Sequence, residues 1–164
     1  MKKSGIGGII VILIGLSFVG SRVVVDIQFD RNCEGYLKRA ADANTIELAQ
    51  TELGKAVKYL EDNNLTEGFS SVFYQTPDQD VGFWYTNLKT SLEELKLVDQ
   101  DVSQLEKSNV LLKLRETLMD GAEITVPLGM EVFPHNVLWM FVVFFGVVFL
   151  VVGVVIMFVA FDPY

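Results

Sequence analysis

The chain predicts an all-α membrane protein in which two transmembrane helices flank an antiparallel helical hairpin or small helical bundle. Three observations carry this: an apolar block near each end of the 164 residues, a proline-free amphipathic stretch after the first block, and a heptad-spaced apolar series before the second. The hydrophobic fraction of 51% and the mean hydropathy of +0.37 exceed what a soluble domain needs. The excess is concentrated in the two blocks.

The N-terminal block, GIGGIIVILIGLSFVG over residues 5–20, is roughly 16 residues long and reaches spanning length if Val23, Val24 and Val25 extend it while Arg22 snorkels. Lys2, Lys3 and the small-residue site Val19-Gly20-Ser21 also fit a cleaved signal peptide. The apolar run continues past that site, which favours an uncleaved signal-anchor over residues 1–25. The C-terminal block, residues 137–161, runs for about 25 residues without a formal charge, enough to cross a hydrocarbon core of about 30 Å with some tilt. A short tail, residues 162–164, follows. Under the positive-inside rule Lys2 and Lys3 keep the N-terminus cytoplasmic, and two spans return the C-terminus to that side. Arg22, Arg31, Lys38 and Arg39 follow the first span, but the middle segment is too long for its charges to count strongly. The expected protein is a two-pass chain of the cytoplasmic or plasma membrane, both termini cytoplasmic and the middle domain extracytoplasmic.

The extramembrane domain, residues 26–121, is expected to be helical. Residues 30–63 are rich in Ala, Leu, Glu, Lys and Gln, with Leu37, Ala40, Ala41, Leu48, Leu53, Ala56, Val57 and Leu60 at helical spacings. One amphipathic helix follows, loosened at Gly35 and Gly54. Residues 63–75 form a connection with apolar packing of its own. Thr76 as N-cap, Pro77 at the first helical position and Gln79 closing a capping box then predict a helix from residue 77, with Asp78 and Asp80 in its first turn. Val81, Leu88, Leu95 and Val102, with Tyr85, Leu92, Leu105 and Leu112 between them, give a coiled-coil-like seam. The helix runs unbroken to residue 120 or turns near 99–103, where Ser103 and Glu106 form a second capping box. Asn44 and Asn109 either set register between facing helices or point to solvent. Residues 122–136 read as an extended juxtamembrane segment.

Chemistry-bearing patterns are sparse. His135 has no metal-ligand spacing around it, and Cys33 has no partner for a disulfide. Asp78 with Asp80, and Asp99 with Asp101, are pairs two apart, which diverge on a helix and suit helix starts better than a cation. No catalytic residue, metal ligand or cofactor is assigned. Gly8, Gly15, Gly146 and Gly153 are candidates for helix packing within the membrane, because small residues let backbones approach. Phe133, His135 and Trp139 suit the headgroup interface. Phe73, Tyr74, Phe83, Trp84 and Tyr85 are candidate contacts for a partner or ligand, placed where the hairpin closes away from the membrane.

The net charge of −8, carried by the middle segment, disfavours nucleic acid. Expected partners are the bilayer and other membrane proteins or further copies of this chain; no residue pattern calls for a small-molecule ligand. Two spans around a helical segment resemble bacterial receptor sensor domains in layout only, with no output domain expected after the second span. The first functional reading is a non-enzymatic scaffold or interaction protein within a membrane complex. The alternative is a ligand-sensing module using the aromatic tip and signalling through a separate partner; an enzyme ranks third.

Overall fold

A computed structural model describes residues 3–99 and 102–161, with side chains from residue 5 to residue 160. The fold is predominantly α-helical: long apolar helices at the two ends flank a helical core. The chain divides into two compact units, Met1–Ile27 with His135–Tyr164, and Gln28–Pro134. The first contains most of α1 (Lys3–Phe29) and α6 (Asn136–Phe161). These two helices run antiparallel, since Gly8 meets Gly153 while Gly15 meets Gly146. Both expose large apolar side chains round most of their circumference, from Leu13 and Leu16 to Val151 and Phe158.

The second unit is built of four arms that alternate in direction. The first is a widened helical turn, Asp30–Glu34, continued by α2 (Gly35–Ala41); α3 (Ile46–Asp62), α4 (Val81–Leu97) and α5 (Gln104–Leu118) follow. Cross-arm ion pairs report the alternation: Arg39 with Glu52, Glu61 with Lys89, Glu94 with Lys113. The core is one cluster in which Leu37, Leu53, Leu60, Val81, Leu95, Leu118 and Met130 are fully enclosed. A short hairpin, β1 (Met119–Asp120) with β2 (Glu123–Ile124), turns at Gly121 in the left-handed region and leads into an irregular segment, residues 125–134, that contains a 3₁₀ turn at Met130–Val132.

Several expectations change at the level of elements. The single helix over residues 30–63 is interrupted at Asp42, because Thr45 takes extended backbone and its hydroxyl accepts from the Leu48 N–H at 3.2 Å, starting α3 afresh. At the next start Thr76 makes no cap; Pro77–Gln79 is a short 3₁₀ turn and Asp80 caps α4, its Oδ1 accepting from the Phe83 N–H at 2.9 Å. The longer run after it is two helices, with Ser103 accepting from the Glu106 N–H at 3.2 Å to begin α5. That break ends the heptad seam: Val81, Leu88, Leu92 and Leu95 are buried, whereas Leu105 and Leu112 are exposed and α5 turns Leu114 and Leu118 inward instead. Asn44 and Asn109 are both exposed, so neither sets register in the core.

Candidate functional site

The break at Asp42 repositions the aromatic segment. With four arms rather than two, the connection between α3 and α4 returns to the end of the unit where the chain enters and leaves. Three contacts fix this placement. The Phe29 ring meets the Tyr59 ring edge-on at 6.3 Å; Gly68, at φ +100°, lies so close to the Phe133 ring that a Cβ there would stand 3.3 Å from its Cζ; and the Trp84 indole N–H donates to the Thr125 carbonyl at 2.8 Å. The expectation that the aromatics close the hairpin away from the chain's entry is therefore corrected. The opposite end carries a cleft of about 410 Å³ shared by Ile46 and Gln50 of α3, Leu97 of α4 and Lys107 of α5, with no aromatic side chain in its lining.

The five candidate aromatics separate by environment. Trp84 is buried, 8% exposed, and its one donor is satisfied, so it belongs to the core. Tyr85 is half-buried in a polar cluster: its hydroxyl donates to Glu61 Oε1 at 2.6 Å, and the Lys89 ammonium stands 3.2 Å from both oxygens. The Tyr85 hydrogen bond, then that of Lys89, holds the Glu61 carboxyl below the usual carboxylate range. Burial and the bond to Glu61 push the Tyr85 hydroxyl up. Phe73, Tyr74 and Phe83 remain, at 76%, 77% and 65% exposure. The first two ride on a closed loop: the Ser70 N–H donates to Gln79 O at 3.0 Å, the Val81 N–H to Gly68 O at 2.9 Å, and the Tyr74 N–H to the Ser71 hydroxyl at 3.0 Å.

A buried carboxylate joins the first two arms. Glu52, 2% exposed, has Lys55 Nζ at 2.8 Å from Oε1 and Arg39 Nε at 2.9 Å from Oε2. The Arg39 N–H is not directed along a hydrogen bond to that oxygen, so their attraction is ionic. Lys55 also stands 5.2 Å over the Tyr36 ring. The group ties α2 to α3.

Elsewhere, Gly8, Gly15, Gly146 and Gly153 occupy the line where α1 and α6 approach most closely. A Cβ on Gly15 would lie 2.8 Å from the Gly146 carbonyl oxygen, and one on Gly153 3.0 Å from that of Gly8. Phe133 is half-buried against the helical core, His135 is exposed, and Trp139 is half-buried. Cys33 is fully buried, and Asp101 lies outside the described residues. No group of three metal-ligating side chains occurs among the described residues. Sequence reasoning missed the Glu52 group and the Tyr85–Glu61–Lys89 cluster, in which Arg39 meets Glu52 and Glu61 meets Tyr85 and Lys89 only through the packing of separate arms; the spacing of apolar positions on α3 carried no sign that a glutamate would sit among them. No protein-family model, no curated protein and no solved structure matches the chain.

Proposed function

We propose that the chain is a two-pass integral membrane protein whose acidic helical unit, on the extracytoplasmic side, acts by protein–protein interaction or scaffolding and not by catalysis. The observation that supports this reading is where exposed apolar side chains lie. On α1 and α6 only 11% of the residues in the most apolar stretch are buried, whereas the core helix of a soluble protein is mostly enclosed. Such surface suits hydrocarbon and not water. The glycine line gives the two helices a close, bilayer-compatible packing of their own. In the helical unit, exposed apolar residues recur on α5 as Leu105 and Leu112, one heptad apart and away from the inward-facing Leu114 and Leu118. That stripe suits a protein partner or a second copy, while the net charge of −8 favours partners with basic rims.

The test is purification in mild detergent of the native chain and of a Leu105→Ser, Leu112→Ser variant. A stable, stoichiometric assembly that is lost in the variant, with helix content unchanged, is the expected result. A native chain that is monomeric and unaccompanied at all concentrations contradicts the scaffolding reading.

A further inference from the structure

The loop between α3 and α4 presents two large aromatics to the outside from a closed base. Folding buried Leu65 and Val81, half-buried Phe69 and enclosed the Ser70 hydroxyl at the neck, whereas Val72 stays exposed and Phe73 and Tyr74 keep about three quarters of their surface exposed. Their loop is held by backbone bonds at its neck and by Thr76, whose hydroxyl donates to the Gln79 side-chain oxygen at 2.9 Å. A pre-ordered loop loses little further entropy when its tip is covered. What covers it is indicated by connectivity. The neck residue Gly68 touches Phe133, which stands three residues before α6, and the same end of the unit holds Phe29, the last residue of α1.

We infer that Phe73 and Tyr74 are a membrane-interface anchor, lying at the boundary of headgroups and acyl chains in the leaflet next to the helical unit. This rests on the proposed reading that α1 and α6 cross the bilayer. Tyrosine with its amphipathic ring is suited to that depth, and phenylalanine beside it supplies apolar area. Glu67 and Asp78 are exposed on either side of the tip, so the recognised surface is a zwitterionic or neutral one and not an anionic headgroup. The loop therefore adds a third point of membrane contact to a unit otherwise tethered by its two ends. In physical terms it restricts how far the unit can tilt from the bilayer.

The full chain, reconstituted in phosphatidylcholine vesicles, tests this with a nitroxide at one position at a time: Phe73→Cys, Tyr74→Cys, Leu97→Cys at the opposite end of the unit, and Val151→Cys on α6. Native Cys33 is buried and silent to the label. Probes at 73 and 74 are expected to collide with lipid-dissolved oxygen and to lose collisions with a water-soluble nickel chelate, while the probe at 97 behaves as fully aqueous. If the probe at 151 reports lipid but those at 73 and 74 match 97, the anchor is refuted and the spanning reading stands. An aqueous signal at 151 overturns both. Shielding of 73 and 74 from both reagents, with spin–spin broadening that grows with protein density, assigns the loop to a second copy of the chain and overturns the lipid assignment.

Discussion

Trp84 shows how one side chain can look like a binding residue in sequence and be a structural one in space. Its ring fills the core at the start of α4, and its N–H pins the irregular segment after β2 through the Thr125 carbonyl. Trp84→Phe keeps most of the ring and loses the donor, so unfolding in denaturant should shift by about 1–2 kcal/mol towards instability. The Glu52 group makes a different prediction. Arg39→Ala leaves the buried carboxylate with one cation fewer and should destabilise by about 1 kcal/mol, whereas Glu52→Met, which removes the charge itself, should cost less. At Glu61 the linkage has a definite sign. A carboxyl held below its usual range contributes stability at neutral pH, and loses that contribution as pH falls through the folded-state value in the acid range. Glu61→Gln should flatten the acid limb of the stability–pH curve, while an unchanged limb would mean that the exposed cluster is energetically silent. The long-range pairings Trp84–Thr125, Arg39–Glu52 and Glu61–Tyr85 were not legible in the sequence, because each joins residues brought together only by the packing of separate segments.

At the scale of elements, composition and spacing identified helical segments but not where they stop. Residues 30–63 contain no proline and read as continuous; what ends α2 is the competition won by Thr45, whose hydroxyl offers the next helix a better start. Capping chemistry was visible at two starts and resolved differently at each: Ser103 serves as read, while Asp80 displaces Thr76 because Pro77–Gln79 close into a 3₁₀ turn. Asp80→Ala should therefore cost about 1 kcal/mol and Thr76→Ala clearly less, checked by the midpoint of chemical unfolding. For α1 and α6 the prediction is steric. Gly15→Leu and Gly153→Leu force side chains into opposing backbone and should lower the melting temperature in detergent, equivalent to about 1–3 kcal/mol. Gly20→Leu, with open space around it, should leave the melting temperature unchanged.

For the whole molecule, the helical class and the two long apolar helices were legible because hydrophobic runs and helix formers act locally along the chain. The end at which the aromatics sit was not, since it depends on whether the unit has two arms or four, and that turns on one four-residue interruption at 42–45. The proposed function follows the same division: the bilayer reading rests on two long apolar helices with little of their surface buried, and the partner reading on the exposed Leu105 and Leu112 of α5. The central claim is that α1 and α6 span a membrane with the helical unit outside. It is tested most directly by cysteine accessibility at Asn87→Cys, an exposed site on α4, against the native chain in which Cys33 is buried. The account predicts that the chain stays in the membrane fraction after alkaline extraction and that a membrane-impermeant maleimide labels position 87 in intact cells, with no labelling of the native protein. Extraction of the chain into the soluble fraction, or labelling of position 87 only after permeabilisation, would contradict it.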